Sequence, residues 1–110
     1  MTLDDLIAFG ANVDEGLQRC MNNEAFYLRL VESVKNEANF GALQAAVDAG
    51  DLDAGFEAAH ALKGVLANLS ITPLYEPASE LCELLRAKEE ADYPALAAAL
   101  MAKFEEFKAL

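Results

Sequence analysis

From Ala38 onward the sequence is a succession of amphipathic helical stripes with hardly any chain between them, and few folds accommodate that pattern. Phe40, Leu43 and Val47 give one apolar face to the stretch Ala38 to Ala49. Gly50 is a C-terminal stop and Asp51 an N-cap for the next helix, predicted from Leu52 to Leu69. Ser70-Ile71-Thr72-Pro73 ends that helix. Thr72 is placed to cap a further one, with Pro73 at its first position, where a missing N–H costs little. Leu74, Ala78, Leu81, Leu84 and Leu85 carry its stripe up to Lys88, and Pro77 sits one turn in, where it bends the start. Asp92 caps a last helix from Tyr93 to Leu110, with Leu96, Leu100, Phe104 and Phe107 at three- or four-residue spacing. Connections this short make consecutive helices antiparallel neighbours. Four such elements bury their stripes together, so the expected fold is all-α, an antiparallel up-down four-helix bundle.

The chain before Ala38 is predicted as shorter helices. Thr2 caps Leu3 to Phe9, which Gly10 closes; a second piece runs from Val13 to Met21, and Asn22-Asn23 breaks it. A third runs from Glu24 to Asn36 with Phe26, Tyr27, Leu30, Val31 and Val34 as its stripe. With 110 residues the expectation is one domain over 1–110, the N-terminal helices (1–37) packing on one end or side of the bundle (38–110).

Charge and cysteine usage narrow the function classes. Nineteen acids against eight bases give a net charge of -11, which repels phosphate backbones and anionic bilayers, so neither nucleic acid nor membrane is expected as a partner. The N-terminus is acidic where a secretory signal would be basic, and no apolar run is longer than Tyr93 to Ala102. Cys20 and Cys82 form no CxxC pair and read as buried reduced thiols, which together make a cytoplasmic, free-standing protein the expectation.

One histidine, His60, lies in the middle of the Leu52–Leu69 helix. At about 100° per residue, Leu52, Gly55, Ala59, Leu62, Leu66 and Leu69 share the core face, and His60 points roughly 140° away from its centre, toward solvent. Gly64 follows one turn later, roughly 180° from the core centre. A glycine inside a helix costs about 1 kcal/mol relative to Ala, and in so Ala-rich a chain an Ala here was readily available; the gap suits close approach of a partner. Lys63 is one turn from His60, within reach of an anion carried on the imidazole. A neutral imidazole is a nucleophile near neutral pH, and phosphoryl transfer asks chiefly for positioning and charge compensation.

Other chemistries fit less well. Glu57-Ala58-Ala59-His60 is a Glu-x-x-His, but a di-iron bundle needs a second such motif and inward-facing ligands, and the chain has no second histidine. An outward histidine with no triad pattern around it does not serve nucleophilic Ser or Cys catalysis. There is no GxxxxGK[ST], and the glycines are scattered.

His60-Ala61-Leu62-Lys63-Gly64 followed by Asn68-Leu69 closely resembles the H-x-L-K-G-x-x-x-N-L-G signature of histidine phosphotransfer (HPt) domains. The flanks Ala49-Gly50-Asp51-Leu52 and Leu81-Cys82-Glu83-Leu84-Leu85 are similar too, and Asp14-Glu15-Gly16-Leu17 leading to Phe26-Tyr27 is similar to the N-terminal part of many members. The resemblance implies an HPt four-helix bundle that relays phosphoryl groups: a phosphocarrier rather than an enzyme acting alone. It implies His60 as the phosphoacceptor, exchanging with aspartates of response-regulator receiver domains or of a hybrid sensor histidine kinase. Lys63 would compensate the phosphoryl charge, and Gly64, Ala67, Glu57 and Phe56 would be partner-docking positions. No cofactor of its own is implied; the Mg²⁺ belongs to the receiver.

The match departs from the signature at two places. Ser70 stands where the family has glycine after Asn-Leu, so a differently shaped helix end is expected. Cys82, 22 residues after the histidine, stands where several members have a Gln that hydrogen-bonds the imidazole, so that orienting contact is expected to be missing. The alternative is a non-catalytic helical adaptor that binds a receiver or kinase without transfer.

Overall fold

The structure, a computed structural model, describes residues 1–110. Four long helices form the body: α4 (Ala38–Ala49), α5 (Leu52–Asn68), α6 (Thr72–Ala87) and α7 (Tyr93–Lys108). They are preceded by α1 (Leu3–Phe9), α2 (Val13–Arg19), α3 (Glu24–Ser33) and a 3-10 turn, Val34–Asn36. Helix α4 packs on α5 and α7, and α6 packs on α5 and α7, which closes the antiparallel ring expected of an up-down bundle.

Local chemistry sets the turns. Gly50 takes the left-handed conformation (φ 69°) after α4, and the Asp51 N–H returns to the Ala46 carbonyl. The Asp51 carboxylate then accepts from the Ala54 N–H at 3.1 Å and opens α5, as Asp92 does for α7 through Ala95. Side-chain caps of this kind are each worth about 1 kcal/mol.

Several element ends differ from the sequence expectation. Helix α2 stops at Arg19 rather than Met21, because Met21 and Asn22 both turn left-handed (φ 56° and 59°) and leave Met21 fully in solvent. The third piece is not α-helical to Asn36: Ser33 Oγ donates back to the Leu30 carbonyl and the chain tightens into the 3-10 turn. Phe26 is exposed, so the α3 stripe is Tyr27 and Val31, continued by Val34, with Leu30 half-buried. Helix α5 ends at Asn68, with Leu69 as its cap, and α7 ends at Lys108. The N-cap of α6 is Ile71, not Thr72. Burial of Ile71 fixes where the chain enters, Thr72 becomes the first helical residue and turns its hydroxyl back to the Ser70 carbonyl, and Pro73 falls at the second position.

The core is continuous from α1 to α7 and holds Tyr27, Phe40, Leu43, Leu62, Leu66, Ile71, Leu81, Leu85, Leu100 and Phe107 among others. Small residues enter it where larger ones were expected to lead: Ala46, Ala58, Cys82 and Ala97 are buried, while Val47, Leu52, Leu84 and Leu96 sit half-buried at the edges. Both cysteines are buried and unpaired. No helix is long and apolar enough to cross a membrane.

The N-terminal helices pack on one end of the bundle, where α5 finishes and α6 begins. The Tyr27 hydroxyl donates to the Leu69 carbonyl at 2.8 Å, and the Asn12 N–H to the Ser70 carbonyl at 2.9 Å. The Arg19 guanidinium donates to the Ala67 carbonyl (2.8 Å) and to Ser70 Oγ (2.6 Å) while paired with Glu15. Helix C-termini leave carbonyls unpaired, and here another segment of the chain supplies the missing donors. Ser70 itself takes φ 57°, the left-handed turn a glycine would take without strain. Ser70, where the signature has glycine, is held in this left-handed turn by its hydrogen bonds to Arg19 and Glu15.

Candidate functional site

Helix α5 fixes the site because its inner face is buried on both sides of the bundle. Ala58, Ala59, Leu62 and Leu66 point inward, which turns His60 and Gly64 outward. Neither imidazole nitrogen makes a hydrogen bond within the chain, and the ring stacks instead on Phe56, one turn earlier, with centroids 5.5 Å apart and planes 22° from parallel.

Beyond His60 the helix borders an open depression of about 700 Å³, lined by Ala61, Gly64, Val65, Ala67, Asn68 and Arg19. A methyl group built on Gly64 would meet nothing within 4 Å. The glycine has no packing role inside the molecule. Its neighbour Gly55 differs: there a methyl would come within 3.3 Å of Leu85, at the close approach of α5 to α6.

On the opposite flank the side chains of α5 meet those of α6. Lys63 Nζ pairs with Glu83 at 3.0 Å, and Arg86 pairs with the other oxygen of Glu83 at 3.4 Å. The Arg86 guanidinium also lies over the Phe56 ring, 5.0 Å from its centroid. The hydrogen bond with Glu83 raises the pKa of Lys63 above the ordinary lysine value. The same bond, followed by the charge of Arg86, holds the Glu83 carboxyl below the usual carboxylate range. Cys82 is buried beside them, its sulfur 4.0 Å from an Arg86 nitrogen and without a hydrogen bond to the imidazole.

The residues singled out from the sequence thus fall into separate places. His60, Gly64 and Ala67 share the depression. Lys63 and Phe56 lie on the α6 side of His60, each engaged with an α6 side chain. Glu57 is exposed and pairs with neither group. Arg19, Glu83 and Arg86 were not anticipated. An antiparallel register reflected about the Ser70–Ile71 turn puts Phe56 within one residue of Arg86, a signal readable from the sequence once the turn is located, but it puts Lys63 opposite Ala78 and does not announce Glu83. Arg19 has no such signal, since it reaches the site from a helix far away in the chain. No three of the His, Cys, Asp and Glu side chains come together as a metal-binding group.

Comparison with known proteins agrees with this architecture. No curated protein and no solved structure matches the chain. A family model does: the Hpt domain matches residues 33–110, which takes in all four bundle helices and leaves α1, α2 and α3 up to Glu32 outside. With that match covering most of its length, the chain belongs to the Hpt domain family, the histidine phosphotransfer domains of two-component phosphorelays.

Proposed function

We propose that His60 is the phosphoacceptor of this chain and exchanges its phosphoryl group with the aspartate of a response-regulator receiver domain, either free or within a hybrid sensor kinase. In the forward step an imidazole nitrogen attacks the phosphorus of the aspartyl phosphate. An N–P bond forms, the P–O bond to the aspartate breaks, and the carboxylate leaves; the return step reverses this. The observation that carries the reading is an exposed imidazole, free of internal hydrogen bonds, beside a helix flank left bare at Gly64. A rigid helix interior supplies the positioning that phosphoryl transfer requires.

Lys63 provides charge compensation by exchanging Glu83 for the incoming phosphoryl oxygens. Because that pair is exposed, little energy opposes the exchange. Gly64 and Ala67 receive the partner's surface, with Glu57 at its edge. The Mg²⁺ of the reaction resides on the receiver.

The test is phosphotransfer from a panel of phosphorylated receivers of the source organism. Wild type is expected to gain an acid-labile phosphate and His60→Gln none; equal uptake by both would refute the assignment. The adaptor reading is favoured by the missing hydrogen bond at the Cys82 position. Receiver binding that survives His60→Ala, with no phosphate found on wild type, would establish it instead.

A further inference from the structure

The histidine is exposed and unbonded, yet its ring is not free. An exposed imidazole turns broadly about its outer side-chain torsion, and fixing it at the moment of reaction costs entropy. Here the orientation is set beforehand. Phe56 and His60 are one helical turn apart on α5, where side chains at i and i+4 meet, and their rings lie nearly parallel.

Phe56 is itself held. It is half-buried against the core, and Arg86 of α6 lies over its ring. Arg86 is in turn tied to Glu83, which also holds Lys63. An arc of contacts therefore leads from His60 through Phe56, Arg86 and Glu83 to Lys63, leaving and rejoining α5 on either side of the histidine. It positions both the imidazole and the lysine without a hydrogen bond to either ring nitrogen, so both nitrogens stay open to a reacting phosphorus.

We infer that Phe56 is a positioning residue for transfer at His60, orienting the imidazole by stacking while Arg86 keeps the Phe56 ring in place. The inference rests on the phosphoacceptor reading and deepens it. It moves Phe56 from a surface offered to the partner to a support beneath the reacting group. Pre-setting the ring plane removes an ordering cost from the transfer step. An aromatic pair of this kind corresponds to a roughly two- to tenfold effect on rate.

The experiment uses the full chain and a donor that needs no docking surface. Phosphoramidate gives its phosphoryl group to an imidazole nitrogen with ammonia leaving, so a Phe56 that served only partner docking would not alter the rate. Because the chain has one histidine, its ring C–H signals in NMR report on this site alone. Stacking on Phe56 shifts them upfield.

Phe56→Leu is expected to move those signals toward free-histidine values and to slow phosphorylation by phosphoramidate roughly two- to tenfold. Phe56→Tyr keeps the ring and is expected to retain both. A folded Phe56→Leu with unmoved ring signals and an unchanged rate overturns the inference. Should that variant fail to fold, nuclear Overhauser contacts between the Phe56 and His60 rings in wild type decide: their presence supports the stack and their absence overturns it. A wild type that takes no phosphate from phosphoramidate or any receiver overturns the phosphoacceptor reading, and this inference falls with it. A wild type that takes phosphate no faster than folded Phe56→Leu overturns this inference alone.

Discussion

At the scale of single residues the site is a balance between what the fold wants and what the flank leaves out. Gly64 is the clearest case, since a methyl there would touch nothing. Replacing it by Ala removes the helix-interior penalty of glycine and is expected to stabilise the fold by about 0.5–1 kcal/mol, seen as a Tm higher by roughly 2–4 °C in thermal unfolding. The same methyl projects into the surface assigned to the partner, so transfer from a phosphorylated receiver is expected to slow while the fold gains. A variant that gains stability with no loss of transfer would remove Gly64 from the interface. The Lys63–Glu83 pair gives a second expectation. The folded pKa of Glu83 is depressed, so the pair contributes above the ordinary carboxylate range, and that contribution is lost as pH falls through the depressed value. Carbon-detected NMR titration of Glu83 should show a midpoint below that of a free glutamate, and Lys63→Ala should raise it toward the ordinary range without reaching it, because Arg86 stays paired with Glu83. The outward direction of His60 was legible from helical periodicity alone, because 3.6 residues per turn fixes it once the core face is known. The stack on Phe56 was not, because ring contacts depend on rotamers that spacing does not specify.

At the scale of elements, the boundaries written in side-chain chemistry were legible and those written in backbone conformation were not. Asp51, Asp92 and Gly50 announce their turns by residue type. Met21 and Asn22 do not announce a left-handed pair, and Ile71 looks like a stripe residue although it caps α6. The end of α5 shows why: its carbonyls are satisfied from α2 and α3, which lie dozens of residues earlier. Tyr27 carries a measurable part of that joint. Tyr27→Phe leaves the buried Leu69 carbonyl without its donor and is expected to cost about 1–2 kcal/mol in urea unfolding. Burial pushes the Tyr27 phenol up to about 12, with Cys20 adding to it. A raised folded pKa means this stabilisation is complete below the ordinary phenol value of about 10 and is lost as pH rises through about 12. Wild type should therefore lose stability across that alkaline window more steeply than Tyr27→Phe.

At the scale of the whole molecule, the bundle was legible because four stripes joined by short turns have few ways to bury themselves. The seat of the N-terminal helices was not, because nothing in their own pattern says which end of the bundle they cover. The net charge of -11 also acts on the molecule as a whole. Its ion pairs are mostly exposed neighbours on one helix, of the kind worth little, whereas mutual repulsion among the acids opposes compactness. Raising the salt from about 0.01 M to about 1 M shortens the Debye length from about 30 Å to about 3 Å. It is expected to raise Tm; a fall would mean that the ion pairs outweigh the repulsion. The placement of His60 halfway along α5, with hydrogen-bonded turns on both sides, has a last consequence, and it concerns time. Helix interiors packed on a core open only in slow, costly events, whereas exposed side chains turn over in picoseconds to nanoseconds. With the imidazole already set on Phe56, the motion this chain still needs is the release of a lysine, which belongs to the fast class, so no slow opening of the bundle stands between encounter with the partner and transfer.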